Sequence, residues 1–320
     1  MIARQKQVLF FENLIEKIGD KNKFVNSLSE TLSISRDGVY RRLRGETPLT
    51  IDDLELLSRE FHFSVDEMLQ DNNPGLLTKY EAFETFDWER FLQGVKSYFN
   101  HHDSRDEFHV YYNAKEIPIF YLFQFPELMA FKCYFWDYTF FADKPLPPFN
   151  PNSLSITEKS LGSEILKNYG KIPSDELWGK EMLNATLKQI VYFYEIEEIQ
   201  KPQVLLLKER LLDLVDFLEG IAEAGEKNWV EDPAKVNIYL NELLIGDNTL
   251  IAKNQNHLRA YLSQNIISSV IVEDEQYCAQ TLKTFQTIGK KSTLISGSSE
   301  KVRKKFFKEL RKEIESNLIA

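Results

Sequence analysis

Cysteine is scarce in this chain. Two residues, Cys133 and Cys278, among 320 cannot build a disulfide framework, which excludes small disulfide-stapled secreted folds and fits a reducing, cytoplasmic setting. Uninterrupted apolar runs are missing as well. The longest candidate, Ile117 to Phe141, is broken by Pro126, Glu127, Lys132 and Asp137, so no membrane span and no membrane partner are expected. The opening MIARQKQVLFFENLIEK is amphipathic, carries acids and has no cleavage-site pattern. Glycine is sparse, at 13 residues, and forms no Gly-x-Ser-x-Gly elbow, no dinucleotide fingerprint and no Walker loop; a metalloprotease helix is lacking too. No enzyme and no cofactor are therefore expected. A hydrophobic content of 43%, with 13% aromatic residues, still allows substantial cores, and the length suits two or three domains.

What the chain does have is a compact pattern between Lys23 and Leu69. An apolar-periodic helix ends at Leu32, the turn Ser33-Ile34-Ser35 follows, and a second short helix carries Arg36, Asp37, Tyr40, Arg41, Arg42 and Arg44 up to a stop at Gly45. Ser35 stands where an N-cap belongs, and Gly45 can take the left-handed conformation that ends a helix. At about 100° per residue, Val39 and Leu43 share one face, while Asp37, Tyr40, Arg41 and Arg44 gather on the other. The apolar pair is expected to dock and the polar set to be displayed. Downstream, Thr50 precedes Asp52 and Asp53 at a helix start, with Ile51, Leu54, Leu57, Ser58 and Phe61 as a stripe at helical spacing. Ser64-Val65-Asp66-Glu67 then caps a last short helix ending near Leu69.

This segment resembles the phage-repressor and Cro-like helix-turn-helix family, also called the xenobiotic-response-element type. The resemblance rests on Leu28 and Leu32 before the turn, Ile34-Ser35 after it, Val39, Arg44-Gly45, the stretch from Pro48 to Leu54 and the ending Phe63 to Leu69. Ser29, Ser33 and Val25 depart from the pattern, standing where the family prefers Ala, Gly and a phosphate-contacting Gln. The resemblance covers about the first seventy residues. It implies an all-α module whose second helix enters the major groove of double-stranded DNA. Arg36, Asp37, Tyr40 and Arg41 would meet base edges, Ser35 would cap the helix beside them, and Lys23, Arg42, Arg44 and Thr47 would position phosphates. It also implies a homodimer on half-sites about 34 Å apart. The charge distribution agrees: the chain carries -10 overall, yet residues 1–50 hold nine Lys/Arg against six Asp/Glu. The expected function is a bacterial, cytoplasmic, sequence-specific transcriptional regulator. The alternative is a protein-interaction adaptor or antitoxin-like protein, and a third option is an enzyme with a DNA-targeting module.

The expected fold is mainly α and multidomain. Residues 1–72 form the all-α helix-turn-helix domain; residues 73–320 form a larger, helix-rich α+β region for dimerisation or sensing, open to a small-molecule effector and to subdivision near residue 230. Asp71 to Gly75 reads as the linker. Beyond it, a helix from Asp87 to Asn100, strands at Phe108–Tyr112 and Ile117–Phe123, and a helix from Pro126 are expected. Ser174 reads as the cap of a helix containing Trp178, Leu183, Leu187, Ile190 and Tyr194. Pro202 starts another that stops at Gly225. Its Val204, Leu207, Leu211, Leu214, Leu218 and Ile221 follow a heptad, although Leu205, Leu206, Leu212 and Val215 widen the stripe and favour packing inside a domain. Val236–Leu240 and Thr249–Ala252 are expected to pair as a hairpin about Gly246-Asp247-Asn248, followed by strands at His257–Leu262 and Ile266–Val272, a helix from Asp274 to Ile288, a strand at Ser292–Ser296 and a basic terminal helix.

Three further groups merit inspection. The loop Ser296 to Lys301 opens a helix and could offer backbone amides to an anion, though a plain helix cap explains it better. His101-His102-Asp103 with His109 matches no zinc spacing, so no metal is expected there. Phe120, Tyr121, Phe123, Phe131, Trp136 and Tyr138 suit a core better than a ligand pocket.

Overall fold

The structure, a computed structural model, describes residues 2–61, 63, 78–80, 87–100, 108–143, 145–243, 246–254, 257–265 and 268–318. The chain divides into two units, residues 1–77 and 78–320. The expected helix from Ser64 to Leu69 and the expected linker from Asp71 to Gly75 lie outside the described residues, as do His101, His102 and Asp103.

Four helices make up the described part of the first unit: α1 (Ile2–Ile18), α2 (Lys21–Thr31), α3 (Arg36–Leu43) and α4 (Ile51–Phe61). Asp20 starts α2 by accepting from the backbone N–H groups of Asn22 and Lys23 at 2.8 and 3.1 Å. Thr50 and Asp53 cap α4 reciprocally, the Asp53 N–H donating to Thr50 Oγ1 at 3.0 Å and the Thr50 N–H to Asp53 Oδ2 at 2.9 Å. The helices close on one core of Phe10, Phe11 and Leu14 from α1, Phe24, Val25 and Leu28 from α2, Val39 from α3 and Leu57 from α4. Ile51, expected in the stripe of α4, is instead 84% exposed, because the first residue of the helix stands beyond the edge of that core.

The second unit is built on a mixed sheet, eight-stranded in its described residues. Its strands are β1 (Thr78–Tyr80), β2 (Phe108–Ala114), β3 (Ser174–Gly179), β4 (Val236–Asn241), β5 (Thr249–Asn254), β6 (His257–Asn265), β7 (Ser268–Val272) and β8 (Thr293–Leu294). They are ordered β1-β7-β6-β5-β2-β3-β4-β8. β2, β3 and β4 run parallel, and every other neighbouring pair is antiparallel. Parallel neighbours need long crossovers, which helices supply. After α5 (Trp88–Asn100), the path from β2 to β3 runs through α6 (Ile119–Leu122), α7 (Pro126–Phe140) and α8 (Ile156–Gly170), and the path from β3 to β4 through α9 (Asn184–Glu195) and α10 (Lys201–Ala224). These helices and α12 (Glu300–Asn317) share the large core with Phe108, Val110, Tyr112 and Ala114, alternate residues of β2. The opposite side of β2 meets α11 (Glu275–Gly289), where the Tyr111 and Phe285 rings lie 5.5 Å apart.

The fold is thus α+β, and the mainly-α expectation is overturned by the eight-stranded sheet. Its sources are specific. Residues 174–179, read as a helix start, are the central strand β3; both faces of that strand are covered, so it lacks the alternation that marks an exposed-face strand. The helix begins only at Asn184. Ile117–Phe123, read as a strand, contains the single helical turn α6, in which Tyr121 N–H donates to Pro118 O at 3.0 Å; its continuous apolarity reflects burial on all sides. β4 and β5 exist but are not a hairpin, since β3 and β2 lie between them. The heptad residues of α10 are all buried within the unit, and Arg311 of α12 braces that helix by donating to Asp216 and Glu219 at 2.6 and 2.5 Å. That seam is therefore no dimer surface.

A polar cluster lies inside the large core. Glu176 of β3 is fully buried, and its Oε1 accepts from Tyr121 OH of α6 at 2.7 Å, Tyr169 OH of α8 at 2.6 Å and Ser174 Oγ at 2.9 Å. Its Oε2 accepts from Trp178 Nε1 at 2.9 Å. Beside it, Lys227 is also fully buried; its Nζ donates to the carbonyls of Tyr169 and Ile172 at 3.1 and 2.7 Å and sits 3.3 Å from the centre of the Tyr169 ring. Four donors on one carboxylate and two carbonyls on one amine satisfy groups whose burial would otherwise cost several kcal/mol.

Among the described residues no helix is long and apolar enough to cross a membrane. The buried cluster makes stability pH-dependent. Burial pushes the Lys227 amine down from 10.5 to about 7, with Glu176 opposing the shift. Between those two values the unfolded chain holds a proton that the folded chain lacks, so this group makes stability rise with pH from about 7 upward. The stability of the wild type relative to Lys227→Met should increase between pH 7 and pH 9 in denaturant titrations; a constant difference would show that Lys227 does not titrate there.

Candidate nucleic-acid interface

The turn between α2 and α3 is held from several sides. Leu32 caps α2, Ser33 reverses the chain at φ 52°, and Ser29 Oγ donates to Ile34 O at 2.6 Å while Ile34 N–H donates to Ser29 O at 3.1 Å. The serine at position 29 therefore ties the turn, a role alanine could not fill. Ser35 caps α3 by accepting from Gly38 N–H at 3.2 Å, and Val39 is fully buried against the neighbouring helices. Gly45, at φ 69°, ends the helix, with its N–H donating to Arg42 O at 2.9 Å and that of Glu46 to Arg41 O at 2.8 Å.

A clamp from α1 fixes the far end of this helix. Gln7, itself buried, donates from Nε2 to Arg42 O at 2.7 Å and to Thr47 O at 2.9 Å, and its Oε1 accepts from Leu49 N–H at 3.0 Å. One side-chain amide thus satisfies three backbone groups of the connection between α3 and α4. Sequence reading missed Gln7, because nothing in the local pattern around it distinguishes it from a surface glutamine.

The residues expected to touch DNA fall into three groups. Lys23 and Arg36 are exposed and have no ion pair among the described residues. Asp37 and Arg41 are 81% and 61% exposed, one helical turn apart, with 3.8 Å between Arg41 Nε and Asp37 Oδ2. Arg44 is exposed and forms a fork with Glu46, at 2.7 Å from Nε and 3.1 Å from Nη2. That hydrogen-bonded pair holds the Arg44 guanidinium above its ordinary pKa and the Glu46 carboxyl below its own. The other residues serve the unit's interior. Tyr40, expected on the displayed face, packs half-buried against the core. Arg42 turns toward α4, 3.5 Å from Asp53, and both are about five-sixths buried. This departs from its expected phosphate role: the guanidinium faces the carboxylate that caps α4, eleven residues ahead. Thr47 is half-buried and contributes its carbonyl to the Gln7 clamp, and Ser35 serves the cap. Val25, the position of an absent phosphate contact, is core.

The candidate groups of the second unit are accounted for by packing. Phe120, Tyr121, Phe123, Phe131 and Trp136 are buried among one another and their neighbours, with Phe120 stacked 4.3 Å from Tyr169, and Tyr138 is half-buried beside them. In the loop before α12, Ser296 Oγ accepts from Ile238 N–H at 2.9 Å, Gly297 N–H donates to Ala222 O at 2.9 Å, and buried Arg303 donates to the carbonyls of Ile295 and Ser298 at 3.1 and 2.7 Å. The arginine and two of the groups expected to face an anion are thus engaged within the protein. His109 lies 3.3 Å from Asp175. A shallow open groove of about 570 Å³ is lined by Lys171, Pro173, Glu231, Asp232, Pro233, Ala234 and Lys235.

Two substitutions probe the presentation of α3. Gln7→Ala should weaken hydrogen-exchange protection across residues 36–49 of the full-length chain by about 2–3 kcal/mol, through the orphaned Thr47 carbonyl and Leu49 N–H, Arg42 O keeping its bond from Gly45 N–H, and leave β2, β3 and β4 unaffected. Ser33→Gly should stabilise the same unit by about 0.5–1 kcal/mol by relieving a left-handed non-glycine residue, read as slower exchange in α2 and α3. Compared with known proteins, the chain matches no family model, no curated protein and no solved structure.

Proposed function

We propose that this chain is a cytoplasmic, sequence-specific DNA-binding regulator of transcription that works as a homodimer. The observation that carries this reading is the rigid presentation of α3. A cap at Ser35, the buried Val39 and the Gln7 clamp hold a short helix whose outward side carries Arg36, Asp37 and Arg41, with Arg44 at its end, and Lys23 of α2 is exposed as well. A preorganised helix of this length fits the major groove, where base edges are read, while flanking cations meet phosphates. One such helix reads few base pairs, which is why two copies are invoked. In this reading the second unit supplies dimerisation and receives the signal, with a small-molecule effector as the simplest kind.

One observation favours the adaptor alternative. Arg41, Arg42 and Arg44 each have a carboxylate partner, so the free positive charge of the surface is small for a phosphate binder. The deciding experiment selects bound sequences from a random duplex pool with the full-length protein and with Arg41→Ala. The regulator reading expects a two-fold symmetric site that the variant binds about 1–3 kcal/mol more weakly. Failure of folded wild-type protein to enrich any sequence would overturn it in favour of a protein partner.

A further inference from the structure

Asp37 is the least expected residue on the outward side of α3. It lies in the first turn, 81% exposed, and its ion pair with Arg41 spans 3.8 Å between two exposed side chains. A pair of that kind adds little to stability. Near a duplex, a carboxylate is repelled by phosphates and by the acceptor atoms N7, O6 and O4 of the base edges. Only the exocyclic amines of cytosine and adenine donate to it in the major groove. Its neighbour has the opposite preference, since a guanidinium binds guanine N7 and O6 in a bidentate manner. Along the edge of one G·C pair these atoms follow in the order N7, O6, then the cytosine amine. A guanidinium whose Nε lies 3.8 Å from a carboxylate oxygen of its neighbour matches that order without the pair separating. An A·T pair offers the guanidinium no comparable pair of acceptors beside a donor.

Resting on the DNA-binding reading above, we infer that Asp37 and Arg41 act together as a reader of a single G·C base pair, with Asp37 as the specificity-determining residue. Arg41 takes the guanine edge and Asp37 accepts from the cytosine amine. At any other pair Asp37 meets an acceptor or loses its donor, so it subtracts from binding to unrelated duplexes. Glu46 serves as the contrast: it is half-exposed and forked to Arg44 at the other end of the helix, where it competes with phosphate for that cation irrespective of sequence.

The test titrates full-length wild type, Asp37→Asn and Glu46→Gln against the selected site, its single-base-pair variants and random duplexes at fixed salt. Wild type should lose about 5- to 150-fold when one particular G·C pair is replaced. Asp37→Asn should lose most of that discrimination at that pair alone and bind random duplexes more tightly. Glu46→Gln should raise affinity for every duplex by a similar factor. Two results would overturn the inference while leaving DNA binding intact: discrimination unchanged in Asp37→Asn, or relaxed evenly at all positions, as a structural role would give. Wild-type protein that binds no duplex would overturn both readings together.

Discussion

The arrangement of the second unit depends on one buried carboxylate. Glu176 accepts from side chains of α6, α8 and two neighbours along its own strand, so a single charged group sets β3 against two helices. Apolar contacts tolerate sliding of a helix over a sheet; four converging hydrogen bonds do not, because a displacement that lost them would leave the carboxylate unsolvated. Tyr169 extends the constraint: its hydroxyl donates to Glu176, while its carbonyl and ring hold Lys227. The next residue, Gly170, has no room for a side chain, since a Cβ there would lie 2.8 Å from Val230 and 2.9 Å from the Trp229 indole. The end of α8 and residues 226–230 are therefore locked together beside the same cluster.

The first unit solves a different problem, that of showing polar side chains without letting their helix move. Its core fixes one side of α3 and Gln7 fixes the other end, while Arg41, Arg42 and Arg44 are balanced by carboxylates from within the unit. In the DNA-binding reading, a face of small net charge on a chain of -10 gives weak long-range attraction to nucleic acid. Residence then depends on contacts that only a matching sequence completes.

Local signals carried much of this structure and failed where partners were distant. Ser35, Gly45, Asp274 and Gly225 stand at helix ends as capping chemistry requires, and Pro202 lies in the first turn of α10. β3 was illegible for a physical reason. Ser174 and Glu176 look like surface residues, and they are core only because Tyr121 and Tyr169 reach them from other elements. Strand pairing was likewise not local, since β4 and β5 are consecutive in sequence yet pair elsewhere. In the candidate interface, the positions of Asp37, Arg41 and Arg44 at the surface followed from periodicity. Arg42 did not, because its environment is set by Asp53 of the following helix, and Tyr40 did not, because its ring finds core contacts that a helical wheel cannot show.

The sheet order also dictates a sequence of events during synthesis. Among the described residues β1 pairs only with β7, Thr78 facing Val272, so this edge closes only after roughly 190 further residues have been made. At ribosomal speeds that interval is about 10–40 s. The described core of the first unit joins residues close in sequence, and such short-range structure forms far faster. Every nascent chain accordingly carries a finished helical head while its sheet is still open at one edge. Unpaired strands of that kind invite association with neighbouring chains, which makes this interval one of exposure to aggregation.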